Sequence, residues 1–251
     1  MWTPSLTASS PASTVRLLGV IPAVIPAGDL RLSLPLSLAV IPAGNLRFVF
    51  PPPPMPTLIQ IVNSALASAV LRAGAHLACH PGCSQCCHGV FEISATDAAR
   101  LRQGLSFADS GKSARLRARV TGARQHLAPF FPGNPSTGVL ADDPDAIERF
   151  EEWANADACP VLDPATQTCD LYEHRPILCR TFGPPIRNVH DDVDAGLAIC
   201  DLCFNEASDQ QIAAGEMDSS FRPREEHEDQ LFTNGNLGSG PTIIAFALDS
   251  L

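Results

Sequence analysis

The sequence predicts a mainly α protein: a small helical domain built around an irregular, cysteine-rich core, with few short strands. Three observations predict it. Apolar residues recur at helical spacing in several stretches, long irregular connections separate those stretches, and nine cysteines fall in three separated groups. The length of 251 residues suits one or two domains, and a composition of 45% hydrophobic and 18% charged residues is that of a globular chain.

Residues 1–54 differ from the rest. They hold ten of the 23 prolines, end in Pro51-Pro52-Pro53-Pro54, and contain a near-repeat, VIPAGDLR from Val24 and VIPAGNLR from Val40. Proline at this density blocks helix interiors and central strands, so a disordered, polyproline-like extension is expected, with Met55 as the expected true start. A domain is expected over 55–251.

From Leu58, the positions Ile61, Val62, Ala65, Leu66, Ala69, Val70, Ala73 and Leu77 predict a helix of about five turns that runs to Cys79 and stops at Pro81-Gly82. Ser94, with Asp97 three residues on, is the expected cap of a helix over 95–105. Leu116, Val120 and Leu127 give the stripe of a helix over 110–127, whose Lys112, Arg115, Arg119 and Arg124 are expected to form a solvated face. FFPGNPSTG reads as a loop. Asp143 and Pro144 open a further helix with Trp153 as its expected core anchor. Short helices are expected over Ile177–Phe182 and Ser208–Met217, and PTIIAFALDSL is expected to dock on the core.

The net charge is -10, and the first 54 residues contribute three arginines (Arg16, Arg31, Arg47) against one acid (Asp29), so the remainder is strongly acidic. That balance argues against nucleic-acid binding, which relies on neutralising phosphates. Nothing in the composition demands a membrane. No Ser-His-Asp arrangement, P-loop or HExxH is present, which removes the common hydrolase, nucleotide and metalloprotease readings.

An odd number of cysteines and no basic-then-apolar leader favour a reducing, cytoplasmic setting, where clustered cysteines signal metal or redox chemistry. The groups are Cys79, Cys83, Cys86 and Cys87; Cys159, Cys169 and Cys179; and Cys200 and Cys203. Cys83-x2-Cys86 and Cys200-x2-Cys203 have chelate spacing, since a tight turn brings both sulfurs to one side. All nine are candidate metal ligands for zinc, iron or an iron-sulfur cluster, which spacing alone does not separate. One such site needs fewer than nine thiolates, so a second site or a redox-active thiol is also open. His80 and His88 flank the first group as weaker candidates, His174 and His190 are weaker still, and Glu92 is a candidate oxygen ligand. Asp163, before Pro164, reads as a turn residue.

GCSQCC, then Cys159-Pro-x-Leu162, then Cys169-x2-Tyr172-x2-Arg175-Pro176-x2-Cys179-Arg180 resemble the YkgJ family of cysteine-cluster proteins, of CxxCxxCC type. The likeness covers about residues 79–183. It departs at Cys79, which stands one residue further from Cys83 than the family's leading cysteine does from its neighbour. The resemblance implies binding of zinc or iron, as an ion or as an iron-sulfur cluster. A larger relative, the flagellin lysine N-methylase, resembles an enzyme that uses such a cluster in methyl transfer, but no glycine-rich loop here marks a cosubstrate site. Arg175 and Arg180 bracket Cys179 and are expected beside the bound centre, offsetting thiolate charge. Tyr172, the single tyrosine, is expected to pack in the core with its hydroxyl bonded.

Overall fold

A computed structural model describes residues 55–190, 193–236 and 238–249. The proline-rich segment 1–54 and its near-repeat lie outside the described residues.

Eight α-helices and three two-stranded hairpins make up the described chain. Helix α1, Leu58–Ala73, starts in a capping box: the Thr57 hydroxyl accepts from the Gln60 N–H, and the Gln60 side chain accepts from the Thr57 N–H. It ends earlier than its apolar pattern predicts. Gly74 takes φ +52, which breaks the ladder, and a single 3-10 turn over Gly74–His76 leads on to Cys79. By length and composition alone, Leu58–His76 also has the character of a membrane span, with mean hydropathy 1.4. Its buried residues Leu58, Val62 and Ala69 pack with Ile177, Ile186, Met217 and Phe221.

Helices α2, Ala95–Phe107, and α3, Ser110–Leu127, form where their caps and stripes place them. The Ser94 hydroxyl accepts from the Asp97 N–H, and the Asp109 carboxylate accepts from the Lys112 N–H. Leu101, Leu105, Leu116 and Val120 pack with Val161, Leu171, Ile244 and Leu248 as one core cluster. The last two belong to the C-terminal segment around α8, Ile244–Ala247, which docks as its composition predicts.

The loop after α3 carries a hairpin, β1 (Gly133–Asn134) with β2 (Val139–Leu140). Helix α4, Pro144–Trp153, is capped by the Asp143 carboxylate. Its anchor is Phe150, not Trp153. Phe150 is buried against Phe131, whereas Trp153 is 44% exposed and lies over His126 and Phe130. The helical spacing puts only one of these two rings on the inward side.

Hairpin β3 (Leu162–Asp163) with β4 (Thr168–Cys169) turns at Asp163-Pro164, and the Asp163 carboxylate accepts from the Ala165 N–H and the Thr166 hydroxyl. Helix α5, Ile177–Thr181, follows. Strands β5 (Ile186–His190) and β6 (Val193–Ala198) pair antiparallel, and the isolated bridge Ile186–Met217 ties β5 to the segment beyond α6, Asp209–Gly215.

Helix α7, Arg222–Gly235, has no buried residue and packs on α2. Between them, burial pushes the Glu225 carboxyl from 4.5 up to about 7, with Asp97 and Asp229 adding to the rise and Arg222 and Arg100 opposing it. A raised folded pKa means that the stabilising protonated state is lost as pH climbs from 4.5 through about 7. Glu225→Gln is therefore expected to flatten the fall in melting temperature between those pH values. A variant with the same pH profile as the parent would contradict this.

Candidate metal centre

Each cysteine is placed by a short local device. Gly82, at φ +91, closes a turn in which the Cys83 N–H donates to the His80 carbonyl at 3.0 Å. A 3-10 turn over Gln85–Cys87 follows, with the Cys87 N–H donating to the Ser84 carbonyl at 2.8 Å. Backbone pairing then joins this loop to the middle group. The Cys159 N–H donates to the Cys87 carbonyl at 2.8 Å, and the Gly89 N–H to the Asp157 carbonyl at 2.8 Å, flanking the bridge of His88 with Ala158.

The hairpin β3–β4 sets Cys169 opposite Leu162, and Cys159 stands three residues before β3, its carbonyl accepting from the Leu162 N–H at 2.9 Å, so the two cysteines do not face each other across the arms as the Asp-Pro turn suggests. Arg119 clamps the hairpin. Its Nε donates to the Pro160 carbonyl at 2.9 Å and its Nη2 contacts the Asp170 carboxylate at 2.5 Å, while Lys112 Nζ lies 3.5 Å from that same carboxylate. Two members of the basic α3 face are thus bound to the cysteine hairpin, and Arg124 is paired with Asp249, in place of the fully solvated face expected.

Cys179 rides on α5. The buried Asp97 carboxylate accepts from the Ile177 N–H at 3.0 Å at the start of this helix and also pairs with Arg100. Arg180 is 1% exposed and donates to the carbonyls of Arg175 (3.1 Å) and Glu173 (2.5 Å) and to Asn63 Oδ1 (2.8 Å), so it ties α5 to α1 and to the preceding turn.

Cys200 and Cys203 belong to a turn closed by the Cys203 N–H to the Cys200 carbonyl at 2.8 Å. Phe204 next to it sits at φ +59, a conformation that non-glycine residues adopt at a cost of about 1–3 kcal/mol. Its ring, stacked on His76, and its N–H donation to the His76 carbonyl at 2.9 Å hold it there.

One cavity of about 640 Å³ collects seven of the nine thiols, Cys79, Cys83, Cys86, Cys87, Cys159, Cys169 and Cys179, together with Arg175, Tyr172 and Gln167. Among the described residues, no three Cys, His, Asp or Glu side chains already stand in ligating geometry. The thiols are neighbours that an ion would draw together.

The interactions divide the thiols. Cys87 donates a hydrogen bond to Cys86, which holds Cys86 down at about 6, with Arg175 and His88 assisting; the same bond pushes Cys87 upward. Burial pushes Cys159 up to about 12, Cys169 upward and Cys179 well above the usual thiol range, and each of these three feels Cys86. Cys79 is pushed up to about 12 by burial, then by Cys203, Cys200 and Cys83; burial raises Cys200 as well, with Cys203 and Cys83 adding. Cys83 thus interacts with Cys79 and Cys200, whereas Cys86, three residues on, interacts with the middle group.

Arg175 stands beside the thiols. Its guanidinium lies 3.7 Å from the centre of the Tyr172 ring, and it acts on both Cys86 and Cys169. Tyr172 is 56% exposed, so it is a platform for Arg175 and not a core residue. The histidines have other partners: His80 Nδ1 is 2.9 Å from the Pro81 carbonyl, His88 Nδ1 is 3.1 Å from the Ser84 carbonyl, and His174 packs on Phe107. The Glu92 N–H donates to Glu151, and Glu92 does not line the cavity. His190 lies on β5.

Pattern reading missed Gly183. At φ +116, a Cβ on it would stand 2.9 Å from the Cys79 sulfur, so only glycine leaves that sulfur its place. Its position between Phe182 and Pro184 was the available signal.

These features define a class: a helical domain whose irregular segments gather thiols for a soft metal. The comparisons agree. Residues 78–203 match the family model CxxCxxCC, described as "Putative zinc- or iron-chelating domain", and the chain belongs to that family. No curated protein and no solved structure matches the chain. The donor set fits zinc or iron, because thiolates are soft ligands and buried neighbouring thiols lose their protons only when a cation offsets the charge.

Gly183→Ala is expected to displace the Cys79 sulfur and to cost about 1–3 kcal/mol through its positive φ. Urea midpoints of the reduced variant and parent check this. An unchanged midpoint would contradict it.

Proposed function

We propose that the protein is a metal-chelating protein that holds zinc or iron, as an ion or as an iron-sulfur cluster, through its clustered cysteines in a reducing, cytoplasmic setting. The observation that carries the reading is the gathering of seven thiols from two sequence groups, about seventy residues apart, around one cavity. Nine free cysteines, an odd number, suit a reducing compartment. Arg175 offsets thiolate charge at the centre, while Arg180 acts through the backbone of residues 173 and 175 that it holds.

A second reading, redox or group-transfer chemistry at an iron-sulfur centre, draws on the cavity itself. Its volume is within the range of small-molecule sites, and Leu66, Val70 and Phe182 give it apolar walls beside the sulfurs.

Protein purified without oxygen is expected to carry zinc or iron by elemental analysis and to melt at a lower temperature once a strong chelator removes it. Acid-labile sulfide with a brown colour selects the cluster, and colourless zinc protein selects the ion. Protein with neither metal, and with melting indifferent to chelator, would contradict chelation.

A further inference from the structure

We propose that the nine cysteines form two separate metal sites: a closed four-thiolate site of Cys79, Cys83, Cys200 and Cys203, and a cavity site drawn from Cys86, Cys87, Cys159, Cys169 and Cys179. The inference rests on the chelating role proposed above and goes beyond it in number, membership and character of the sites.

Geometry supports the division first. The thiols rest on different cores. Cys159 and Cys169 pack against the cluster of Leu101, Leu116, Val161 and Ile244, which belongs to α2, α3 and the C-terminal segment. Cys203 is buried with Ala73 and Phe204, and Cys200 and Leu77 pack against that separate cluster at the end of α1. The Ala78 N–H donates to the Cys203 sulfur at 3.4 Å, which ties the segment bearing Cys79 to the second CxxC turn. The Phe204-to-His76 backbone bond closes the same junction. Independently, Cys87 and Cys159 are joined by their own backbone bond, and Arg119 and Asp170 secure the Cys159–Cys169 hairpin.

The electrostatic neighbours repeat this partition. The thiols acting on Cys79 and Cys200 are drawn from Cys83, Cys200 and Cys203, and those acting on Cys87, Cys159, Cys169 and Cys179 are drawn from Cys86, Cys159 and Cys169.

The two sites differ in chemistry. Four thiolates fill tetrahedral coordination, so the first site is closed and structural: it clips the chain after α1 to the turn at Cys200–Cys203. Cys200 and Cys203 do not line the large cavity, whereas Cys79 and Cys83 do, so the first site borders it. The second group has five sulfurs, one more than a four-coordinate ion takes, and all five line that cavity beside Arg175, where a ligand has access. The pair Cys83-x2-Cys86 is therefore split between sites, with each member serving a different metal.

The test uses the full chain, reduced, stripped of metal without oxygen, and titrated with Co(II), whose thiolate charge-transfer absorption reports each sulfur-bound ion. The parent is expected to saturate at two equivalents. Cys83→Ser and the pair Cys200→Ser with Cys203→Ser are each expected to lose one equivalent and keep the other. The pair Cys159→Ser with Cys169→Ser is expected to lose the opposite one, and Cys86→Ser, which leaves four sulfurs in the cavity, to weaken that same one, so that combining Cys83→Ser with Cys86→Ser impairs both. Far-UV circular dichroism identifies any variant that fails to fold, and the parent titration stands without it. Saturation of the parent at one equivalent would overturn the two-site proposal while leaving chelation intact, as would loss of the same equivalent in Cys83→Ser and in the pair Cys159→Ser with Cys169→Ser. Absence of any cobalt-thiolate absorption in the parent would overturn both.

Discussion

Two backbone hydrogen bonds, from the Cys159 N–H to the Cys87 carbonyl and from the Gly89 N–H to the Asp157 carbonyl, join segments far apart in sequence, and the cavity depends on them. Neither segment has an α-helix or a strand of its own to fix it. Once joined, they inherit the position of the hairpin β3–β4, which α3 holds through Arg119 and Asp170. The hairpin in turn rests on the core of Leu101, Leu116 and Ile244. A regular helical frame thus carries an irregular site. The third arm comes by a separate route, since the Asp97 carboxylate of α2 caps α5 and so sets Cys179.

The same burial that stabilises the frame works against the free thiolates. Cys79, Cys159, Cys169 and Cys179 are all pushed above the usual thiol range, because removing a sulfur anion from water beside other sulfurs costs free energy. A bound cation reverses that cost. Ion binding and ordering of the loops are then one process, and the free energy of the first appears as stability of the second. Cys86 is the exception: its sulfur accepts from Cys87 and faces Arg175, so it is the thiol best prepared to meet a metal.

Much of this was legible in the residues. Ser94, Asp109 and Asp143 announce their helices through cap chemistry, and each cap forms. The Asp163-Pro164 turn forms as its residues predict, since a carboxylate that bonds its own backbone makes the turn locally, although it sets Cys169 opposite Leu162 and not Cys159. What stayed hidden depends on distant partners. Trp153 and Phe150 are both aromatic, and only the packing of Phe131 decides which is buried. Tyr172 leaves the core because a cation, Arg175, covers its ring. Helix α7 has no apolar stripe to betray it. Gly183 and Phe204 have their roles through the Cys79 sulfur and the His76 stack, which no local pattern encodes. The grouping of the cysteines is likewise tertiary: spacing pairs Cys83 with Cys86, whereas the fold gives them different neighbours.

The central claim is that metal orders the thiol-bearing segments on a frame that stands without it. Amide hydrogen exchange of the reduced protein, with and without bound metal, tests this most directly. The account predicts strong added protection with metal at residues 83–89, 157–171 and 200–204, and little change in the centres of α2 and α3. Equal exchange in both states at the cysteine segments, or loss of protection throughout α2 and α3 alone, would contradict it.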